Sequence, residues 1–494
     1  MRKWGLLTAA LDPADRRPLY LQLSNAIAED IRKGRLKPGD PLPGTRVLSQ
    51  QLRIHRNTVI AGYQELVAQG LASTRRGGGT FVAMPTVLPL AASPHAGARE
   101  RPPTYDVPSP IRPVPMTPPD PGGPLSLVRA IPDVRLLPAE ALSQAFRRAI
   151  FRHGRKLLGY GDPRGHPMLR QGLATMLSHA RGIPTSRDDI VVTRGSQQAL
   201  YLIAQALLSP GDVIAVEDLG NPLVWRALRL PGTELEPVPV DENGLDVSAL
   251  EALLARRKLR AVYVTPHHQF PTNAVMSAER RRKLASLARK HRFAIIEDDY
   301  DHEFHYEGQP VAPIAAGPGA ENVLYVGTLS KVLAPGLRVG FVLAPPEVRE
   351  RLVTLRTVND MQGDTAVECA VAELFEDGEL VRHVRRMGRI YARRRDALAE
   401  ALHGSLRDVL GFRVPEGGMA LWTRVAEGID IPAWERACEA LGVLFRGAGM
   451  FDFAERPRPY LRLGFTYHDE SELREAVSRM ARGLGAVRKV RRAR

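Results

Sequence analysis

The sequence predicts a two-part chain: a small head of three helices closed by a β-hairpin, then a large α/β domain on a mainly parallel sheet. Three observations carry this. Residues 18–83 pass through three apolar stripes at helical spacing before two short strand-like pieces. Residues 84–124 carry a proline at about every third position without helical or strand periodicity, the composition of a semi-extended linker. From residue 125 onward, short apolar runs alternate with long amphipathic stretches. At 494 residues the chain is too long for one ordinary core. The divisions are therefore 1–83 (head), 84–124 (linker), 125–487 (large domain) and 488–494 (a basic tail expected to be a solvated, disordered end).

In "PLYLQLSNAIAEDIRKG", Leu19, Leu23, Ile27 and Ile31 recur every four positions on one helix face, which Gly34 can end. "RLKPGDPLPGTRVLSQQL" gives a Pro-Gly turn and a short second helix through Val47, Leu48 and Leu52. "RIHRNTVIAGYQELVAQG" follows as a third, with Val59, Tyr63, Leu66 and Val67 inward and Gly70 as its stop. "LASTRRGGGTFVA" supplies two strand-like pieces around a basic triple-glycine turn. This order is that of a winged helix-turn-helix, whose chemistry is DNA reading. Arg56, Asn57 and Thr58 open the third helix with donors and acceptors suited to base edges, and Arg46 is placed for phosphate. Arg75 and Arg76 flank a wing in which Gly77, Gly78 and Gly79 let backbone approach a duplex. Taken singly, a surface arginine is ordinarily solvated and Asn-Thr at a helix start is often a cap; the ordered set is what points to DNA.

Charge agrees. The formal net charge is +15, and residues 1–83 hold thirteen Lys/Arg against six Asp/Glu. A polyanionic partner, double-stranded DNA, is expected. The two cysteines, Cys369 and Cys438, are far apart and lack metal-ligand spacing, so neither a disulfide framework nor a zinc site is expected, and no residue is expected to bind a metal. No run of about eighteen uncharged apolar residues occurs, and the N-terminus has no signal-peptide pattern, so a cytoplasmic protein is expected.

In the large domain, "DIVVT", "DVIAVED", "AVYVTP", "FAIIEDD" and "VLYVG" read as strands of a sheet covered on both faces, with chemistry at the strand ends. Four constellations sit there. "TRGSQQAL" runs from a strand into Gly195, Ser196, Gln197 and a helix, which suits a phosphate cup equally with a simple helix cap. "FAIIEDDY" places Asp298 and Tyr300 on one face and Glu297 and Asp299 on the other. That suits the partners of a protonated pyridine nitrogen and a ring oxygen, or a solvated acidic strand end. "VGTLSKVLAPGLRVG" places Lys331 after Thr328 and Ser330, with Arg338 beyond: an amine able to form a Schiff base, beside phosphate ligands, where a lone lysine is ordinarily a surface lysine. "YLRLGFTYHD" carries Arg462, suited to a carboxylate in a bidentate fork, or simply an exposed strand arginine.

The head, through "PLYLQLSNAIAEDIRKGRLKPGDPLPGTR…LVAQGLASTRRGGGTFVA", resembles the winged helix of GntR regulators, with Gly44 and His55 where such heads commonly carry a small hydroxyl residue. Residues 125–487, through "YGDPRG", "GSQQAL", "EDDYDHEF" and "SKVLAPGLRVG" in that order, resemble a fold-type I aminotransferase. The linked pair resembles the MocR subfamily of GntR regulators. The resemblance implies pyridoxal phosphate as cofactor, held as a Schiff base on Lys331, with Asp298 at the pyridine nitrogen and Tyr300 at the ring hydroxyl. It implies Ser196, Gln197, Thr328, Ser330 and Arg338 around the phosphate and Arg462 on the carboxylate of an amine or amino-acid effector. It also implies a homodimer, domain-swapped or not, in which Tyr160 reaches the phosphate of the partner's site.

Departures from the family pattern bear on turnover. Asn221 stands where an aromatic residue usually stacks on the ring and Leu219 where a proline stands. Phe270 replaces the asparagine that binds the ring hydroxyl, and Asn273 a glycine. The expected function is a DNA-binding transcription regulator that senses pyridoxal phosphate or an amine reacting with it, with the atoms for a transaminase half-reaction retained. The alternatives are a working aminotransferase with an accessory DNA-binding head, and a structural protein without its cofactor. Lys331, Asp298 and Arg338 argue against the last.

Overall fold

The computed structural model describes residues 11–12, 15, 17–75, 78–83, 122–128 and 130–492. Linker residues 84–121, and Arg76 and Gly77 of the wing turn, lie outside them. The chain divides into two compact units, residues 1–113 and 114–494.

The first unit has helices Leu19–Arg32, Thr45–Leu52 and Arg56–Ala68, then strands Ala72–Arg75 and Gly79–Val82 paired antiparallel. Leu23, Ile27, Leu48, Leu52, Val59 and Leu66 build its core. Val47 and Val67 do not join it: they are 52% and 40% exposed. Each follows or precedes a core leucine by one position, and one residue turns a helix by about 100°, off the buried stripe. Gly34 and Gly70 both take φ +70 just past their helices, as helix-ending glycines do. His55 caps the third helix, its Nδ1 accepting from the Asn57 amide at 3.2 Å, whereas Gly44 offers the second helix no side-chain cap. The Pro-Gly segment joins the hairpin as a third piece: the Leu42 amide donates to the Thr80 carbonyl at 2.8 Å, beside a bridge from Pro41 to Phe81.

The second unit is built on a seven-stranded sheet. Across it run the strands Ile190–Thr193, Gly340–Leu343, Val323–Thr328, Ala294–Asp299, Ala261–Val264, Val213–Glu217 and Glu234–Val238. All neighbouring pairs are parallel except those of Gly340–Leu343, which is antiparallel to both its neighbours. Alternation along each strand divides the apolar residues between two clusters. Val262, Val264, Ile295 and Tyr325 go to one, and Ala261, Tyr263, Ile296 and Val326 to the other. Both faces are thus covered, as a parallel sheet requires.

A third cluster forms around a small antiparallel sheet of Leu410–Gly411, Ala420–Val425 and Tyr460–Gly464, packed with the helices Glu379–Leu406 and Glu470–Arg492. The last helix continues to Arg492, through most of the stretch expected to be a disordered end. Leu125–Ser126 pairs in parallel with Val443–Leu444, which ties the start of this unit's described residues to its C-terminal part. Two strands went unread in the sequence: "ELEPV" lacks an apolar run, and "GFVL" begins on the last glycine of the lysine motif and adds only three apolar residues.

Candidate functional site

In the head, Arg56 and Asn57 are exposed at the first turn of the third helix and Thr58 is half-buried. Arg56 Nε donates to Thr45 Oγ1 at 3.2 Å, so the start of the second helix braces a guanidinium whose remaining N–H groups face outward. Arg46, beside Thr45, is exposed. Arg75 closes the first wing strand with its guanidinium 4.8 Å above the Phe81 ring. At Gly78 a Cβ would make only ordinary contacts with Arg75 and Phe81; the turn's demand for glycine falls on Gly79, at φ +94. Arg76 lies outside the described residues.

In the large unit the parallel strand ends gather buried acids. Asp298 shares its face with Tyr263, because Tyr263 is paired with Ile296, two residues earlier on the same strand. The Tyr263 hydroxyl donates to Asp298 Oδ2 at 2.8 Å, and Oδ1 is buried without a partner among the described residues. Burial pushes the Asp298 pKa up to about 7; the Tyr263 bond opposes this, Asp299 and Asp301 add to it, and the Lys331 charge counters it. Lys331 is half-buried and donates to the Ala130 carbonyl at 2.9 Å. The solvated-acid alternative is thereby excluded: Glu297, Asp298, Asp299 and Asp301 are all buried. Tyr300, just past the strand, has its hydroxyl buried where it interacts with the Arg462 guanidinium, and burial raises its pKa well above that of a free phenol.

Gly195 opens the helix Gly195–Leu207 at φ +75, and Ser196 and Gln197 form its first turn. The antiparallel strand brings Gly340 against it so closely that a Cβ on Gly340 would stand 2.6 Å from the Gly195 carbonyl carbon. A Cβ on Gly195 would meet the Arg338 guanidinium at 3.0 Å. Arg338 is exposed and donates to the Arg194 carbonyl at 2.8 Å, and Gln197 Nε2 donates to the Leu223 carbonyl at 3.2 Å. On the lysine turn, Thr328 Oγ1 accepts from the Ser330 amide at 3.1 Å, while Ser330 Oγ is buried without a partner among the described residues. Helix-start amides, two hydroxyls and a guanidinium thus converge, an arrangement suited to an anion.

Arg462 is buried on its strand, not exposed; its guanidinium carbon lies 4.7 Å from the Phe270 ring centre, and burial draws its pKa down. Phe270 also meets Tyr300 edge-on at 6.1 Å. The structure therefore brings Asp298, Tyr300, Lys331 and Arg462 into one region, with Ser196, Thr328, Ser330 and Arg338 beside it at the helix start. Tyr160 is 85% exposed on the segment after the turn Gly154–Leu158.

Residues 131–480 match the family "Aminotransferase class I and II" and residues 19–82 match "Bacterial regulatory proteins, gntR family". Over 93% of its length the chain is 28% identical to the probable rhizopine catabolism regulatory protein MocR of Rhizobium meliloti, of which it covers 92%. The chain belongs to the MocR subfamily of GntR regulators. As a MocR-type protein it is a transcription regulator with a DNA-binding head of the GntR type. Its aminotransferase unit is also similar to enzymes. It is 34% identical to the aromatic-amino-acid aminotransferase 1 of Thermococcus litoralis, over 72% of this chain and 87% of that protein. It superposes on the crystal structure of a multiple substrate aminotransferase from Thermococcus profundus with a TM-score of 0.70 and 32% identity, covering 75% of this chain and 93% of that one. No helix among the described residues is long and apolar enough to cross a membrane.

The departures of this MocR-type chain have local structural roles. Asn221 caps the helix Pro222–Arg229, accepting from the Leu223 amide at 3.0 Å. Asn273 takes φ +61, a conformation asparagine tolerates in place of glycine, and donates to the Ala420 carbonyl. Phe270, joined to Pro271 by a cis peptide, fills the space between Tyr300, Phe451 and Arg462. Sequence reasoning missed Tyr263 and Glu217. Glu217 accepts from the Thr265 hydroxyl at 2.8 Å, and burial pushes its pKa up to about 8. The contact of Tyr263 with Asp298 rests on a two-residue offset that exists only once Tyr263 is paired with Ile296; for Glu217 the signal was a carboxylate ending an otherwise apolar strand.

Proposed function

We propose that this regulator holds pyridoxal phosphate on Lys331, and that an amine or amino acid competing for the cofactor alters how its heads engage an operator in the cytoplasm. The observation that carries the reading is Oδ1 of Asp298, a buried acceptor without a partner among the described residues, close enough to Lys331 for their charges to interact. Such an atom suits a ring N–H; Ser330 Oγ, buried without a partner among the described residues, suits a phosphate oxygen, and the buried Tyr300 hydroxyl, which interacts with the Arg462 guanidinium, suits a ring hydroxyl. Bound there, pyridoxal phosphate supplies an aldehyde that condenses with primary amines.

The chain's own residues then have these tasks. Lys331 offers the amine; Asp298 orients the ring by accepting at its nitrogen; Tyr300 donates to the ring hydroxyl. Ser196, Gln197, Thr328, Ser330 and Arg338 hold the phosphate, joined in a dimer by Tyr160 of the partner subunit. Arg462, desolvated under Phe270, takes an effector carboxylate. In the head, Arg56, Asn57 and Thr58 read base edges, while Arg46, Arg75 and Arg76 contact phosphates and Gly78 lets the wing approach. The switch is a population shift: the effector favours one arrangement of the large domain, and the linker relays it to the spacing of two heads.

The test is a visible absorption band in wild type incubated with pyridoxal phosphate, lost in Lys331→Ala, with operator binding retained in a mobility-shift assay. A wild type without a band rejects the cofactor. The second reading, a working aminotransferase with an accessory head, is favoured by the 34% identity to an aminotransferase. Rapid multiple turnover with amino donors and keto acids would establish it; Phe270 in the asparagine position weighs against it.

A further inference from the structure

Beside this site, but facing away from Asp298, four histidines meet. His267 and His268 follow the strand Ala261–Val264, and His302 and His305 follow its parallel neighbour Ala294–Asp299. Adjacent strand ends therefore deliver two histidine pairs to one place. The His267 and His268 ring centres are 4.3 Å apart, those of His267 and His305 6.2 Å, and those of His268 and His305 6.5 Å. One ligand atom from each of His267, His268 and His305 falls within 4.8 Å of the others.

The hydrogen bonding of these rings is unusual for a buried cluster. Both nitrogens of His267, both of His305 and Nε2 of His268 are buried without a partner among the described residues. Leaving so many polar atoms unsatisfied is costly unless something occupies them. His268 is the exception at its other nitrogen, where Nδ1 lies 2.8 Å from Asp301 Oδ1. A carboxylate receiving the Nδ1 proton leaves the lone pair on Nε2, the arrangement that orients a metal-binding imidazole. A Cβ on residue 417 would stand 2.3 Å from that Nε2, so only glycine at 417 lets the His268 ring take this position.

We propose that His267, His268 and His305 form a binding site for one divalent transition-metal ion of the zinc class, with Asp301 positioning His268. Three imidazoles select zinc, cobalt, nickel or copper over the hard cations calcium and magnesium. Closing the site means drawing the ligand atoms in to Zn–N distances of about 2.0–2.1 Å, which side-chain rotation supplies, and leaves a fourth position for water. An ion there ties the turn carrying Phe270 to the turn that follows Tyr300, and so stiffens one wall around Arg462.

Full-length protein stripped with a chelator and titrated with Co2+ should develop the visible d–d bands of a low-coordinate nitrogen site, saturating at one ion per chain, and Zn2+ should displace it. His267→Ser and His305→Ala should each weaken Co2+ binding at least about tenfold, and Asp301→Asn by roughly ten- to a hundred-fold. Far-UV circular dichroism and metal-free melting identify the variants that fold; His305, at the half-buried rim, serves where His267→Ser does not. Wild type without saturable Co2+ binding overturns the proposal, as does a folded His305→Ala that binds Co2+ as wild type does, which would place the ion on other histidines.

Discussion

The phenol of Tyr263 donates a 2.8 Å hydrogen bond to Oδ2 of Asp298 and leaves Oδ1 of that carboxylate buried with no partner among the described residues. One oxygen is held so that the other can be offered. Removing the holder should be felt at the offered atom. In Tyr263→Phe the Asp298 pKa, already about 7, should rise further, because the lost bond favours the charged form. A bond to a charged group contributes about 1.5–3 kcal/mol, so affinity for pyridoxal phosphate should fall roughly ten- to a hundred-fold. Its pH midpoint should move upward. Absorbance titrations from pH 6 to pH 9 measure both, and an unchanged profile would remove Asp298 from the site.

Glu217 offers a test of stability against pH. Its pKa is raised by burial from 4.5 to about 8, so over that range the folded protein holds a proton that the unfolded chain releases. The wild type therefore loses stability from this group as pH rises through the window. Glu217→Gln lacks that loss. Its unfolding free energy relative to wild type should grow steadily between pH 5 and pH 8, by on the order of a few kcal/mol. Denaturant melts at four pH values decide the matter; a gap independent of pH would show that Glu217 titrates normally.

Gly340 is needed for space rather than for its dihedral angles. A methyl there meets the backbone of Gly195 at 2.6 Å, with no flexible side chain to yield. Gly340→Ala should cost about 1–3 kcal/mol of stability and part the helix start from Arg338. Thermal melting should show the first effect and phosphate-competed cofactor titration the second. Retention of both would mean that the strand shifts without loss.

In the head, arginines should divide by task. Arg56→Ala should cost about 1–3 kcal/mol on a preferred operator and relax base preference at one position. Arg75→Ala should weaken all duplexes alike and reduce the slope of log affinity against log salt by about one. Mobility shifts at several salt concentrations separate the two, and identical behaviour of both variants would refute the division.

Much of this molecule is legible as sequence because its signals are local. Five of the seven strands announce themselves as apolar runs, and the head by its stripes and stops. Gly340–Leu343 is silent because it begins on the glycine that ends the lysine motif and offers only three further apolar residues, and Glu234–Val238 because an edge strand has one side free and tolerates Pro237. Among the site residues, Lys331 and Asp298 stand in distinctive local contexts. Tyr263 does not, since its contact exists only once two strands are in register. The histidine cluster stayed hidden for the same reason: its pairs lie more than thirty residues apart, and nothing in either stretch names the other.

The pairing of Thr328 with Gly340 has one more consequence. It pins both ends of the loop that carries Ser330, Lys331 and Arg338, so the loop's length is fixed like the gap of a caliper. Adding or deleting one residue would slide the strand by one place and turn its side chains to the opposite face. Descendants of this chain can retune what the pocket accepts by exchanging residues, but changing the number of residues between those two jaws is closed to them.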